Sequence, residues 1–412
     1  MSSTVSTPFV YLALPVMDET ELLPRLIAVL RKQSLTSYEL VVCVNQPDRW
    51  WYDQEKREIC LRNSRTLEYL EGLEGIRLTL LDRSTPGRGW QGKNLGVGWA
   101  RKTAMDAIVS KANNEDIIIS IDADTTFHEN YLQSVCRTLK SHPEAMALSL
   151  PYYHHLTGDG DTDRCMLRYE IYMRYYFLNM WRITNPYAFT ALGSAMALPV
   201  WAYRKVGGIT PHRSGEDFYF MQKLCKQGRI IHWNEERVYP AARFSDRVFF
   251  GTGPAMIRGR SGDWSGYPIY HYSLFDKVRE TYDRFDVLFK KDVATPMDDF
   301  LYALFGKDDT WRRLRHNYRS REPFIRACTA RVDGLRILQY LKTEQKKVLH
   351  SDEENLKAFI RKFYPPEHLQ SWNIDPDAID FGKMDPAGLN HLRDFLSSHE
   401  DHCRQSGHFT VT

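Results

Sequence analysis

Along the first half of the chain, short β-rich apolar runs alternate with stretches whose apolar positions recur every three or four residues. That alternation predicts an α/β sheet of parallel strands joined by helical crossovers. FVYLALP at 9–15 reads as the first strand, with a helix over about 21–33 behind it. YELVVCVN at 38–45 is a second strand and 76–82 a third, followed by a helix over about 93–111. DIIISID at 116–122 is almost continuously apolar, so it belongs at the sheet centre, buried on both faces. Two more strands are expected at 145–153 and 194–198, with an aromatic-rich helix over about 164–181 between them. From about residue 257 the period changes. DDFLYALFGKDDTWRRLRHNY and ARVDGLRILQYLKTEQKK repeat their apolar positions at helical spacing, which predicts amphipathic helices. The division expected is an α/β domain over 1–256 and an α-helical region over 257–412.

Composition narrows the class without naming it. The 412 residues are 43% hydrophobic and 26% charged, enough apolar content for a sizeable core. A net charge of +3 with no long basic run argues against a nucleic-acid binder. The seven cysteines are scattered and never form a CxxC pair, so neither a disulfide framework nor a structural zinc site is expected. The apolar run near the N-terminus is only as long as a strand, and no stretch approaches the roughly 18 residues of a membrane helix. These features point to reducing cytoplasm. Aromatics at 13% suit stacking on sugars and suit ordinary packing equally.

Candidate chemistry begins at Asp122-Ala123-Asp124, just past the most apolar strand. On a strand these carboxylates would point to opposite faces, but in the turn beyond it both can converge on a hard cation. Open α/β sheets bind ligands past the carboxyl ends of their strands, where this pair sits. Mg²⁺ or Mn²⁺ held there by one or two carboxylates keeps positions for diphosphate oxygens and neutralises charge on a departing diphosphate. The bland reading is that an Asp-rich turn merely caps the next helix. A second acidic pair, Glu216-Asp217, opens a helix after Gly215. Helix capping accounts for one acid, which leaves the other to accept a proton from a hydroxyl.

These pieces occur together with LALPVMDE at 12–19, Gly87-Arg88 and Lys93-Asn94 before a helix, LGSAMALPVWAYRKVGGI at 192–209 and GEDFYFMQKL at 215–224. In that order, over roughly residues 8–250, the chain resembles the family 2 glycosyltransferases of the GT-A fold. The resemblance implies a nucleotide-diphosphate sugar donor and a non-processive, inverting transfer to an acceptor hydroxyl. It places the nucleotide pocket at Pro15, Asp18 and Glu19, with Arg88, Lys93 and Asn94 on the nucleotide or its phosphates. Asp122 and Asp124 would hold metal and diphosphate. Asp217 would be the base, with Glu216 beside it.

The chain also departs from the family pattern. Asn45 stands where an acid commonly pairs with the N3–H of uracil; its carbonyl can still accept, so a UDP-sugar is favoured over a GDP-sugar. The usual histidine metal ligand after the acidic helix is missing from its place, with His232 and His271 as substitutes or as structural residues. Arg243, Arg247, Arg258 and Arg260 suit a diphosphate or an anionic acceptor, or else are solvated charge. Asp159, Asp161, Asp163 and Glu170 follow the count of a calcium loop, but Arg164 stands where that loop turns on glycine, so an acidic loop on the acceptor side is the better reading. The acceptor is a saccharide or a lipid-linked molecule. Basic and aromatic residues of the C-terminal helices are compatible with peripheral contact to a membrane, and equally with helix packing. A sugar-phosphate nucleotidyltransferase would want a Gly-rich loop after the first strand, and a non-catalytic carbohydrate-binding protein would have lost its acids; both remain as alternatives.

Overall fold

The computed structural model describes residues 8–93, 95–244, 251–306 and 309–410. The chain divides into two compact units, one of residues 1–166 and 189–262, the other of 167–188 and 263–412.

The first unit is built on a seven-stranded mixed sheet. Its elements run β1 (Val10–Val16), α1 (Leu23–Arg31), β2 (Tyr38–Asn45), α2 (Arg57–Glu71), β3 (Leu78–Arg83), α3 (Val97–Val109) and β4 (Ile117–Ser120). They continue with β5 (Thr125–Thr126), α4 (Tyr131–Ser141), β6 (Ala147–Ser149), α5 (Gly160–Arg182), β7 (Met196–Pro199), α6 (Val200–Lys205) and α7 (Glu216–Cys225). The short strands β8 (Ile230–Ile231) and β9 (Tyr239–Pro240) and helix α8 (Thr252–Arg260) follow. The strand order is β3-β2-β1-β4-β7-β6-β8, and β5 pairs with β9 in a separate two-stranded ribbon. β1, β2, β3 and β4 are mutually parallel, while β7 runs antiparallel to β4 and β6.

β1, β2 and β4 are buried along their whole length, as strands covered on both faces must be. Their parallel register sets Val16 beside Val44 and Ala13 beside Ser120. The loops that leave these strands, carrying Asp18 and Glu19, Gln46, and Asp122 to Asp124, therefore emerge along one edge of the sheet. The antiparallel β7 brings the loop before it to the same edge, since Met196 pairs with Ser120. This is the GT-A type of mixed α/β sheet, followed in the chain by a helical C-terminal region.

The second unit consists of helices from residue 272 onward, including Gly334–Gln345, Asp352–Phe363 and Pro386–Ser406, with 167–182 of α5 among them. At its centre lies an ion network in which Glu170 pairs with Arg174 and Arg393, and Glu400 with Arg174 and Arg404; each side chain is at most 1% exposed. Glu170 is thus committed inside a helical core, which removes it from any calcium loop. Two other acids of that count fold the turn into α5: Asp163 accepts from the backbone N–H groups of Thr157 and Gly158, and Asp159 from Thr162. His271 caps α9 (Tyr272–Asp283) through Ser273. All seven cysteines are free, and no helix among the described residues is long and apolar enough to cross a membrane.

Candidate active site

The site forms where the sheet edge meets the start of α7. Asp122 leaves β4, and its Oδ1 accepts a hydrogen bond of 2.9 Å from Arg101 Nη2. The same guanidinium donates through Nε to Glu216 Oε1 at 3.1 Å. Its Nη1 donates to the Gly193 carbonyl at 3.2 Å and to Ser120 Oγ. Asp122 and Glu216, ninety-four positions apart in the sequence, thereby share one cation. Arg101 and Glu216 are each 3% exposed at the side chain, whereas Asp122 is 33% exposed and opens toward solvent.

Two glycines make this convergence sterically possible. A Cβ on Gly193 would lie 2.4 Å from Arg101 Nη2 and 3.2 Å from Asp122 Oδ2. A Cβ on Gly98 of α3 would lie 2.3 Å from the His212 carbonyl oxygen and 3.2 Å from Glu216 Cβ. Bare backbone at both positions lets α3, the loop before β7 and the start of α7 close on the guanidinium.

Gly215 takes a left-handed conformation, φ 75°, and turns the chain into α7. Asp217 follows as the second helical residue, and its Oδ1 accepts from the Phe218 backbone N–H at 2.8 Å. Its carboxyl is pushed up to about 7, first by burial and then by the neighbouring Glu216 charge, with Arg101 pulling the other way. A carboxyl that titrates near neutrality in such a cluster is suited to proton transfer.

A second cluster serves the other strand-end acid. Arg243 Nε donates to Asp124 Oδ2 at 2.8 Å, and its two terminal nitrogens reach Glu19 Oε2 at 3.1 Å and Oε1 at 2.6 Å. The β5–β9 ribbon delivers Arg243 here, with the Ala241 N–H bonded to the Asp124 carbonyl at 3.1 Å. Here the arginine is more open, 28% exposed against 8% for Glu19 and 18% for Asp124.

The remaining sequence-expected residues scatter around these clusters. Pro15 lies inside buried β1. Asp18, in the left-handed region at φ 60°, is gripped by Arg62 at 2.5 and 3.0 Å. Asn45 is 2% exposed and its amide is engaged on both sides, donating to the Val16 carbonyl at 2.8 Å and accepting from Trp90 Nε1 at 3.0 Å. Reading a uracil base through Asn45 would therefore depend on a carbonyl oxygen already used by Trp90. Arg88 stands on the rim, 67% exposed and 3.3 Å from Asp82, and Lys93 is exposed. Arg260 pairs with Asp161 at 3.6 Å and lies over the Phe244 ring, while Arg258 is exposed. Asn94 and Arg247 lie outside the described residues. Among those described, no group of three His, Cys, Asp or Glu converges as a ready-made metal set.

Sequence reasoning missed Arg101, Arg62 and Trp90. For Arg101 the signal was present: Gly98, Arg101, Ala104, Met105 and Ile108 form the buried stripe of α3, with one charge in its middle. An arginine on such a stripe must be paired, and acids at a sheet edge are the partners at hand.

Strand-end carboxylates on a mixed sheet of this order, facing an acidic helix start, are the arrangement that the resemblance to GT-A glycosyltransferases leads one to expect. Residues 117–263, which span both acidic pairs, match the model for Glycosyl transferase family group 2, so this stretch is a family 2 glycosyltransferase domain. Among solved structures, Staphylococcus aureus TarS 1-349 in complex with UDP-GlcNAc is similar at 11% identity, covering 98% of this chain and 93% of that one, with a TM-score of 0.40. The mannosyltransferase PcManGT from Pyrobaculum calidifontis, in complex with GDP-Man and Mn²⁺, is similar at 15% identity over 97% and 88% of the two chains, with a TM-score of 0.34. GalNAc-T7 with UDP, GalNAc and Mn²⁺ is similar at 11% identity over 78% and 56%, with a TM-score of 0.39. Similarities at that level decide neither substrate nor mechanism. No curated protein matches the sequence.

Proposed function

We propose that the chain transfers a sugar from a nucleoside-diphosphate donor to an acceptor hydroxyl with inversion, residues 1–256 forming the catalytic domain. The observation that carries this reading is the shared guanidinium of Arg101, which brings the strand-end Asp122 and the helix-start Glu216 to one place. The acceptor oxygen bonds to the anomeric carbon as the bond from that carbon to the diphosphate oxygen breaks, and Asp217 takes the hydroxyl proton. Its elevated proton affinity suits a base working near neutral pH. Glu216 is held by Arg101 and serves the acceptor or the helix start.

A divalent cation fits the same edge. Asp122 Oδ2 has no hydrogen-bond partner among the described residues, and the pocket already draws a cation, Arg243, onto Asp124 and Glu19. Mn²⁺ or Mg²⁺ would be held by Asp122 and Asp124, and when bound would neutralise charge developing on the leaving diphosphate. Uridine is the first donor base to test and guanosine its competitor; the free cysteines accord with a cytoplasmic setting.

Incubation with UDP-, GDP-, CDP- and dTDP-sugars plus Mn²⁺, followed by measurement of free nucleoside diphosphate, tests the reading. Release from one donor class, lost on chelation, is expected. Pyrophosphate formed from a nucleoside triphosphate and a sugar phosphate would indicate a nucleotidyltransferase instead, and a clear preference for GDP would overturn the uridine assignment.

A further inference from the structure

We infer that Arg101 is a positioning residue for the transfer, clamping the donor-side Asp122 and the base-side Glu216 to one rigid point. This rests on the reading above, in which these acids serve donor and base.

The guanidinium spends its nitrogens on four partners from three segments: Glu216 of α7, Ser120 and Asp122 at the end of β4, and the Gly193 carbonyl before β7. Lysine could supply the charge but not this fork, since its ammonium is a point charge on a flexible stem. Gly193 and Gly98 hold the space that the fork and Glu216 occupy.

The helical unit holds an ion network as well, in which Glu170, Arg174, Arg393 and Glu400 are each at most 1% exposed and Arg393 also pairs with Asp394, 37% exposed. What sets the Arg101 cluster apart is that its exposed member is a strand-end acid of the candidate site. The Arg101 cluster is closed at one end only: Arg101 and Glu216 are sealed, while Asp122 reaches 33% exposure. Asp217, next in sequence to the sealed Glu216, is partly exposed. Fixing Glu216 and Asp122 thus fixes, from inside the core, the two groups that face a substrate. A shift of about 1 Å in such groups typically costs about 100-fold in rate.

The test compares Arg101→Lys, Glu216→Gln and the double variant, assayed on the nucleotide sugar that the wild type turns over with Mn²⁺. Circular dichroism and thermal melting report folding. Arg101→Lys is expected to fold and to lose about 100-fold in kcat, and the double variant to lose no more than about threefold beyond that, because both changes break the same clamp. A kcat for Arg101→Lys within about threefold of wild type, or losses that multiply in the double variant, would overturn the inference. Should Arg101→Lys fail to fold, Gly193→Ala takes its place, since it keeps every charge and displaces the guanidinium first, at 2.4 Å, with Asp122 Oδ2 next at 3.2 Å. It should lose at least about tenfold in kcat with its melting temperature retained; unchanged kcat in a folded Gly193→Ala overturns the clamp. Mn²⁺-dependent turnover by the wild type and its loss in Asp217→Asn report separately on the underlying reading.

Discussion

The two acids of the strand-end turn are separated by one alanine, yet each belongs to a different arginine. Asp122 is tied inward to Arg101 and Glu216, in a cluster whose cation is 3% exposed. Asp124 is tied outward to Arg243 and Glu19, in a cluster whose cation is 28% exposed. Just past β4 the two acids thus take different arginines, one sealed and one more open. The inner cluster is rigid and faces the base, so damage to it should appear in kcat. The outer cluster can exchange partners with little loss of packing, so damage there should appear in donor and metal affinity.

The largest expected effect lies where both clusters meet the donor. Asp124→Ala should abolish metal-dependent nucleotide binding and turnover while leaving the fold largely intact, because the residue lies past the end of β4 and outside the core. Calorimetry with UDP and Mn²⁺ reads the loss; unchanged binding would move the metal away from Asp124 and dissolve the contrast between the clusters.

Asp217→Asn comes next, at about 10²–10⁴-fold in kcat with donor binding little changed. The wild-type kcat/KM should rise with pH through about 7, because Asp217 must lose its proton to act as base, and the profile should flatten in the variant. The stability effect runs oppositely. The folded proton affinity lies above the unfolded value, so ionising Asp217 costs the fold stability as pH rises from about 4 to about 7. Asparagine removes that cost. A melting temperature at pH 8 equal to or above wild type is expected, and a clear drop would show Asp217 to be structural.

Arg243→Met probes the outer cluster alone. Loss of a charge-assisted fork near the diphosphate should raise the donor KM about tenfold and leave kcat within about threefold. If kcat falls as far as in Asp217→Asn, the two clusters do not divide the work.

How much of this was legible beforehand follows from chain order. The strands β1, β2 and β4, the helical second half and both acidic pairs announce themselves through local pattern, because each is a short run whose burial or exposure its own residues set. Helix α2 is not legible in the sequence, because its buried face includes Cys60, Asn63 and Thr66, which do not read as an apolar stripe. The strand expected over 145–153 shrank to Ala147–Ser149, since only those residues find partners in β7 and β8. The site itself was legible as acids but not as clusters. Arg101 meets Glu216 across 115 positions and Arg243 meets Glu19 across 224, and such pairings are fixed by sheet order, which periodicity does not encode. Asn45 shows the converse: its position at the end of β2 is legible in the sequence, but its hydrogen bonds to Val16 and Trp90 are set by the fold.

Arg88 marks the outer limit of the contrast and carries the smallest expected effect. It follows Gly87, whose φ of 82° turns the chain outward and whose N–H is fixed by Asp48 Oδ1 at 2.7 Å, so the backbone at this point is held. The side chain is not: 67% of it is exposed, and its contact to Asp82 is a single 3.3 Å approach. A charge so hydrated gives up little on leaving Asp82 for a phosphate and gains little on arrival, because water screens both states. Arg88→Ala should therefore weaken UDP–Mn²⁺ binding by only about two- to fivefold at low salt, and the difference should vanish near 0.5 M NaCl, where screening reaches only about 4 Å. Arg243→Met, being less exposed and doubly paired, should keep most of its effect at that salt. Calorimetry on both variants across a salt series decides the matter: a loss in Arg88→Ala of about 50-fold or more, or one that salt does not reduce, would mean that this loop closes over the donor and that Arg88 belongs with the outer cluster.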